Sequence, residues 1–410
     1  MPDWLTLDDV PVRGKTVLMR FDINSPIEHG RIAGTERLED AARSLKEVAA
    51  RGSKVVALGH QGRKGGEDFA SLREHASLLG RFAGVEVGFV DEVVGPKASQ
   101  AIHGLRDGQA LMLENVRGLD DETKKAKPEE HARAAFIQAL AKEAQVYICD
   151  AFSAAHRAQA SLVGLPLLLP SIAGPGMARE LIALDKATSN PEPPSVYVLG
   201  GAKPEDSIAV MEHNFGTGKL DTALLTGLVG ELFLVARGNE LGKPTMELLE
   251  RRKILDLQPA AEKLLDEHDD GIVTPIDVAV KTREGRQEVW VEDLPAEGPV
   301  LDIGKETLAD FALTLADAGS IFFNGPAGLY EEPPYDLGTR GLLEAVKDSP
   351  AFSLIGGGHT TASLAKFGLR EQDFGHVSLA GGALLAYITG EPLPAVEALK
   401  ASAAKFKGRL

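Results

Sequence analysis

Residues 352–369 read FSLIGGGHTTASLAKFGL, and this stretch decides the fold because it contains a complete strand–turn–helix unit. A short apolar run bounded by glycines favours a buried strand, and the helix-like stretch directly after it favours a βα unit. Glycine at such a turn lets a ligand approach the backbone at a helix N-terminus, where phosphate groups bind well. The stretch therefore predicts an α/β protein with an anion site at this turn.

The same pattern recurs along the chain in two series. The first series is KTVLMRFDIN, SKVVALGHQGR, QALMLENVRG and AQVYICDAF, and the second is PSVYVLGGAK, DTALLTGLVG, DGIVTPIDVAV, GSIFFNGPAG, FSLIGGGH and FGHVSLAGGA. Alternating strands and helices indicate parallel sheets, and 410 residues exceed what one core usually supports. A helical segment bracketed by Gly and Pro separates the series. We therefore predict domains at 1–173 and 195–395, a linker helix at 174–194 and a short basic tail at 396–410.

Composition limits the function classes. Apolar residues make up 44% and charged residues 25% of the chain, as in ordinary globular proteins, and the net charge of -16 argues against nucleic acid as the main partner. A single cysteine, Cys149, excludes an intramolecular disulfide. The apolar stretches are too short or too interrupted to span a membrane, and the N-terminal residues do not resemble a signal peptide. We expect a cytoplasmic protein that binds neither membranes nor nucleic acid.

The strands predicted in the first half end in basic residues. Arg20, Asp22 and Asn24 alternate at one strand end, so a period of two places them on the same side. The other candidates are Arg37, His60, Arg63, Arg117, His156 and Arg157. Ligands of open α/β sheets bind beyond the carboxyl ends of the strands, so this set predicts a cationic pocket for a small phosphate or carboxylate. Any one of these arginines alone is better explained as a solvated surface residue.

The strands predicted in the second half end in glycine instead. Their loops, GGAK, TGLVG, NGPAG, GGGH and AGG, are typical of nucleotide-phosphate sites, although tight packing of helix on sheet explains any single one equally well. None of them is a dinucleotide fingerprint or a Walker A loop. Lys203 closes an apolar strand beside two glycines and must direct its charge at a partner, and Glu331 could accept from ribose hydroxyls.

An anion site and a nucleotide site on two domains suggest phosphoryl transfer. A hydroxyl acceptor needs a base to take its proton, whereas a carboxylate acceptor is already ionised at pH 7. Asp22 is the only obvious base in the first half. The excess of Arg and Lys therefore favours a carboxylate acceptor.

The motifs RFDINSP, TERL, GHQGR, LENVR, DAFSAAHRA, GGAK, NGPAG, IGGGH and LPAVEAL, in this order, resemble the phosphoglycerate kinase family over about residues 20–399. The resemblance implies two Rossmann-like, three-layer αβα domains with parallel sheets, joined by a hinge helix. It implies reversible phosphoryl transfer between MgATP and the carboxylate of 3-phospho-D-glycerate, giving 1,3-bisphosphoglycerate and ADP in glycolysis. It also implies that the C-terminal tail packs on the N-terminal domain.

The resemblance carries roles to individual residues. Arg37 and Lys203 would neutralise the phosphoryl group in transfer. The 3-phosphoglycerate site would comprise Arg20, Asp22, Ile23, Asn24, Arg37, His60, Gln61, Gly62, Arg63, Arg117, His156 and Arg157. The nucleotide site would comprise Gly201, Lys203, Ser207, Asn324, Glu331, Gly356, Gly357, Gly358, His359 and Thr360.

Three residues depart from the usual family pattern. Ser207 replaces a second lysine, His359 replaces an aspartate near magnesium, and Ala380 replaces a hydroxyl residue. Ser207 and His359 together resemble the archaeal branch. Because Mg²⁺ prefers oxygen ligands, we expect nucleotide phosphates and water to hold it. Two alternatives stay open: a homologue that binds but does not turn over, and a kinase of another small phosphorylated acid. We expect a monomer, with a homodimer as the alternative.

Overall fold

Strand β1 (Thr16–Phe21) is buried on both faces, as a central strand of a parallel sheet requires. Its odd-numbered residues, among them Val17 and Met19, pack in one core with helix α1 (Glu36–Ala50), whose apolar residues recur at helical spacing. Its even-numbered residues face the opposite layer. The structure is a computed structural model that describes residues 3–406.

The chain divides into two compact units, and each is described separately. One unit comprises Met1–Leu181 with Pro392–Leu410, and the other comprises Ile182–Glu391. The division falls inside helix α7 (Pro175–Leu184), within the predicted linker helix at 174–194.

The first unit is a βα sandwich built on one parallel sheet, whose strand order is β5-β6-β4-β1-β7-β8. Its further strands are β2 (Ile27–Glu28), β3 (Arg31–Ile32), β4 (Lys54–Leu58), β5 (Val87–Phe89), β6 (Ala110–Met112), β7 (Val146–Asp150) and β8 (Ser171–Ala173). Its further helices are α2 (Arg73–Ala83), α3 (Pro96–His103), α4 (Pro128–His131), α5 (Ala135–Lys142) and α6 (Ala160–Val163).

The second unit contains a parallel sheet with the strand order β11-β10-β9-β15-β16-β17. Its strands are β9 (Ser195–Leu199), β10 (Thr222–Leu225), β11 (Ile272–Val273), β12 (Asp277–Thr282), β13 (Gly285–Trp290), β14 (Val300–Ile303), β15 (Ser320–Asn324), β16 (Phe352–Gly356) and β17 (His376–Val377). Its helices are α8 (Pro204–Gly216), α9 (Gly227–Ala236), α10 (Lys243–Arg251), α11 (Gln258–His268), α12 (Lys305–Ala316), α13 (Leu337–Asp348), α14 (Gly358–Lys366) and α15 (Gly382–Ile388).

Chain order across the second sheet reverses between β9 and β15. Counted by position in the chain, the strands run 3-2-1-4-5-6, the Rossmann order, which places ligands at that reversal. In the first sheet the corresponding reversal lies between β1 and β7. The prediction of an α/β fold with two αβα domains and parallel sheets is confirmed.

Part of the strand content differs from the expectation. The run DGIVTPIDVAV, predicted as one strand, is divided between β11 and β12, and β12 belongs to a separate antiparallel sheet with β13 and β14. Pro275 lies between the two strands and cannot donate a ladder hydrogen bond. β13 alternates exposed and part-buried residues, a pattern without the continuous apolar run by which the other strands are recognised.

Helix α16 (Pro394–Phe406) packs within the first unit against α6 and β8. Its hydroxyl at Ser402 accepts a hydrogen bond from the backbone N–H of Ser171 at 3.0 Å, and the Ala395 N–H donates to Ala155 O at 3.1 Å. The last four residues of the predicted tail, 407–410, lie outside the described residues. Within residues 3–406, no helix is both long and apolar enough to cross a bilayer.

Candidate active site

In the first unit, the parallel register brings the residues after three strands to one edge. Arg20 in β1 lies opposite Leu58 of β4 on one side and Cys149 of β7 on the other. The loops that follow these strands therefore emerge together, and they carry Asp22, His60 and the segment after Asp150.

Arg20 is completely buried, so its side chain contacts other protein groups rather than solvent. Its Nε donates to the Ser161 hydroxyl at 3.0 Å, and its guanidinium lies 4.0 Å from the buried Glu122 carboxylate. A second guanidinium nitrogen donates to His60 Nδ1 at 3.0 Å. Arg20 thus supports the site from behind His60.

His60 is a neutral donor in this arrangement. Burial, followed by the charges of Arg20, Arg117, Arg157 and Arg37, holds the pKa of His60 well below its ordinary value. Because an arginine can only donate, Nδ1 is the acceptor and the ring proton lies on Nε2. The imidazole can therefore donate to an anion but cannot act as a charged acid at pH 7.

Arg37, near the start of α1, is the half-buried cation of the site. It pairs with the Asp22 carboxylate, and it donates to the Ser153 hydroxyl at 3.2 Å. The same hydroxyl donates to Asp22. Asp22 is thereby held by a cation and a hydroxyl.

Arg117 and Arg157 complete the cluster. Burial and the charges of Arg157 and Arg20 lower the pKa of Arg117 to about 10, and burial with the charges of Arg63 and Arg37 lowers the pKa of Arg157. Arg117 donates to Gly62 O at 2.7 Å, yet its buried Nε has no hydrogen-bond partner within the described chain. Positive charges this close to one another favour a bound anion.

The remaining predicted residues of this half shape the loop. Asn24 Oδ1 accepts from the Gly62 N–H at 2.8 Å, and the Gln61 side chain is occupied by Ser25 and His75. Gly62 has φ +66, and a Cβ there would lie 2.4 Å from the backbone of residue 68, so only glycine fits. The side chains of Asn24 and Gln61 therefore hold the loop in place.

Two further members of the predicted set have distinct placements. The Ile23 side chain is buried in the core, which leaves only its backbone for a ligand. His156 accepts from the Arg157 Nε at 3.2 Å, and its Nδ1 has no hydrogen-bond partner within the described chain.

In the second unit, three glycine turns interlock at the reversal between β9 and β15. The Gly201 N–H donates to Pro326 O at 2.8 Å, and the Gly227 N–H donates to Ala327 O at 3.0 Å. Gly325 has φ +95, and a Cβ there would lie 2.2 Å from Gly200 O. The close approach of these backbones explains why the sequence ends its strands in glycine.

These turns form one wall of a cavity of about 380 Å³. Its walls are mostly apolar, with side chains from α9, α10, β12 and β14. Its lining residues include Gly201, Leu228, Glu231, Leu248, Glu331 and His359. A concave, largely apolar space with a few polar groups is typical of a nucleotide or cofactor site.

Of the predicted nucleotide residues, Gly201, Glu331 and His359 line this cavity. Lys203 is exposed at the N-terminus of α8, whereas Ser207 is 1% exposed and faces the interior. The buried Thr360 hydroxyl accepts from the Gly325 N–H at 2.8 Å and so fixes the loop.

The loop GGGH forms the expected helix N-terminus. Gly356 ends β16, Gly357 has φ +84, and α14 begins at Gly358. Asn324 is half-buried at the end of β15, beside Gly357. The His359 ring is exposed and lies 6.4 Å, centroid to centroid, from the Tyr330 ring.

The described residues contain no group of three or more His, Cys, Asp and Glu side chains that could hold a metal ion. The expectation that nucleotide phosphates and water hold Mg²⁺ stays a prediction.

Sequence reasoning missed Glu122, Ser161 and Ser153 in the first unit and Glu231 in the second. Ser153 could have been predicted from the sequence, because it follows β7 in the motif DAFSAAHRA. Glu122 and Ser161 gave no signal, since they meet Arg20 only through the fold.

Guanidinium groups gathered in one unit and a glycine-walled cavity in the other are the features expected of an α/β phosphotransferase. Residues 7–391 match the family model described as phosphoglycerate kinase. The chain belongs to the phosphoglycerate kinase family, and it is an enzyme of that kinase type.

Individual relatives of the chain are also phosphoglycerate kinases. The chain is 42% identical to a phosphoglycerate kinase of Methanothermobacter thermautotrophicus over 399 residues, covering 97% of each chain. It is 42% identical to that of Aeropyrum pernix over 405 residues, covering 98% of this chain and 97% of the relative. The crystal structure of phosphoglycerate kinase from Pyrococcus horikoshii OT3 superposes with a TM-score of 0.88 at 36% identity, covering 98% of this chain and 100% of that one. The predicted resemblance to the archaeal branch is confirmed.

Proposed function

We propose that this chain transfers the γ-phosphoryl group of MgATP reversibly to the carboxylate of 3-phospho-D-glycerate, giving 1,3-bisphosphoglycerate and ADP. The observation that carries this proposal is the crowding of guanidinium groups in the first unit, where burial and the charges of Arg157 and Arg20 lower the pKa of Arg117, and burial with the charges of Arg63, Arg37 and Arg20 lowers the pKa of Arg157. A substrate with a phosphate and a carboxylate would supply the missing negative charge.

The polar groups of this site support a carboxylate acceptor. Asp22 is engaged by Arg37 and Ser153, and His60 presents an N–H rather than a lone pair. Neither group is placed to take a proton from an alcohol. In the proposed step, a carboxylate oxygen bonds to the γ-phosphorus as the bond to the β–γ bridging oxygen breaks, so no proton has to be removed from the acceptor.

On the nucleotide side, Lys203 would neutralise the phosphoryl oxygens, and the backbone at Gly357 and Gly358 would bind phosphates at the N-terminus of α14. Glu331 would accept from the ribose. Mg²⁺, held by phosphate oxygens and water, would supply further neutralisation of the phosphate charge. A hinge role of 174–194, a monomeric state and a cytoplasmic location stay predictions.

A coupled assay with ATP, Mg²⁺ and 3-phosphoglycerate tests the proposal. We expect turnover in the range usual for kinases, about 1–100 s⁻¹ or above. The Lys203→Ala variant, purified in the same way, is the matched control for contaminating activity. Nucleotide binding without turnover would favour the non-catalytic homologue, and a higher kcat/KM on 2-phosphoglycerate would favour a different acceptor.

The position of His359 predicts an effect on the magnesium requirement. His359→Asp adds a carboxylate at the N-terminus of α14, beside the expected phosphates, and Mg²⁺ prefers oxygen over nitrogen ligands. We expect the Mg²⁺ concentration for half-maximal rate to fall several-fold. His359→Asn removes the imidazole without adding charge and should keep the original requirement. If both variants needed the same Mg²⁺ concentration for half-maximal rate, residue 359 would have no role in metal binding.

A further inference from the structure

The nucleotide cavity contains a buried carboxyl group that the proposed reaction does not use. Glu231 lies on α9 and is 6% exposed, and its Oε2 has no hydrogen-bond partner within the described chain. It shares a helix face with Gly227, Leu228 and Leu234, which also line the cavity, because these positions recur at helical spacing. Glu231 thus faces the cavity.

Glu231 lies further along α9 than the glycine turns, where the nucleotide phosphates are expected. Gly227 begins α9 at the interlocked glycine turns, and Glu231 follows one turn later, about 6 Å further along the helix axis. The groups assigned to the ribose and phosphates, Glu331 and His359, come from other loops. The other α9 side chains that line the cavity, Leu228 and Leu234, are apolar, so a base packed on this helix would lie beside the Glu231 carboxyl.

The protein leaves Glu231 unsatisfied although it satisfies the neighbouring acid. Asp302 also lines the cavity, but it accepts from Arg286 at 2.8 Å and from the Gly338 N–H at 2.8 Å. Arg252 lines the same cavity, yet no ion pair joins it to Glu231 among the described residues. A buried polar atom without a partner is costly, which suggests that a ligand supplies one.

The chemical state of the group indicates which ligand edge fits. Burial raises the pKa of Glu231 to about 8, against the opposing charge of Arg252. At neutral pH the carboxyl is mainly protonated, so it offers one O–H donor and one carbonyl acceptor side by side. This is the pattern of a glutamine amide, which pairs with the exocyclic amine and a ring nitrogen of adenine.

We propose that Glu231 reads the base of the nucleotide by accepting a hydrogen bond from the exocyclic amine of a 6-aminopurine and donating one to the adjacent ring nitrogen. The inference rests on the proposed function for the presence of a nucleotide in this cavity. Glu231 is then the residue that selects an adenine nucleotide over purines lacking the amine.

Calorimetric titration of the whole chain with ADP and with purine riboside 5′-diphosphate tests the inference, because the second ligand lacks only the exocyclic amine. We expect the wild type to bind ADP about 10-fold or more tightly, as expected when a bidentate polar contact is lost. Glu231→Gln keeps a donor beside an acceptor and should keep that preference. Glu231→Leu should bind both ligands with equal affinity.

Equal affinities of the wild type for the two ligands would overturn the inference, even if the Leu variant failed to fold. A preference for ADP that survives in folded Glu231→Leu would also overturn it. These outcomes are independent of turnover. A wild type that prefers ADP but has no kinase activity would sink the proposed function and leave Glu231 as the base-reading residue, whereas binding of neither nucleotide would sink both.

Discussion

Lys203→Ala is expected to lower kcat by about 10³-fold or more, because it removes a cation placed for charge that develops during phosphoryl transfer. Lys203 follows β9 and the Gly200–Gly201 turn and stands at the N-terminus of α8. Its side chain is exposed, and no described residue forms a hydrogen bond or ion pair with its ammonium group. The free energy of unfolding should therefore change by less than about 0.5 kcal/mol.

Steady-state kinetics with ATP and 3-phosphoglycerate, together with urea unfolding, check this expectation. Lys243→Ala is the matched control, since Lys243, like Lys203, directly precedes a proline at a helix N-terminus, here that of α10, but makes only an exposed i,i+4 pair with Glu247. The control should retain wild-type kcat. A Lys203→Ala enzyme within a few-fold of wild type would remove Lys203 from the mechanism.

Arg37→Ala is expected to reduce kcat by a similar factor of about 10³, with a smaller change in the KM for 3-phosphoglycerate. Arg37 is one-third exposed at the start of α1, and it holds Asp22 with help from Ser153. Loss of the ion pair should cost about 1 kcal/mol of stability, as is usual for a partly exposed pair. The kinetic effect therefore exceeds any effect through folding.

Two variants sharpen the Arg37 test. Arg43→Ala, on the same helix, removes an arginine whose only described ion pair, with Asp40, is exposed, and it should leave kcat unchanged. Arg37→Lys keeps the charge but loses the forked donor geometry and should recover only part of the rate. A rise in KM with unchanged kcat in Arg37→Ala would show that Arg37 binds the ground state only.

Much of the fold was predictable, because its signals are local. Apolar runs, the turns that end them and the helical spacing after them are all short-range patterns, so the strands at Thr16–Phe21 and Ser195–Leu199 could be located directly. The antiparallel sheet around β13 was not predicted, because β13 lacks such a local signal. Its strand alternates exposed and part-buried positions, and its pairing partners are set by the tertiary structure.

The sites were predictable as strand ends but not as contacts. The sequence places Arg20 near the end of a strand and Asp22 and His60 after strands, and parallel register brings these strand ends together. It does not show that Arg20 is enclosed by Glu122 and Ser161, because those partners are 102 and 141 residues away. Burial of a charge depends on what covers it, and the covering layer comes from distant segments.

By itself, then, the sequence determined an α/β chain with a cationic set of strand ends in one half and glycine-ended strands in the other. These features follow from backbone preferences and apolar periodicity, which act within a few residues. Only the tertiary structure decided which arginines lie close enough to act on His60 and which tautomer His60 adopts. It also decided that Glu231 lines a cavity and that its Oε2 has no hydrogen-bond partner within the described chain. Those properties arise from through-space distance and desolvation, and neither is encoded in any local stretch.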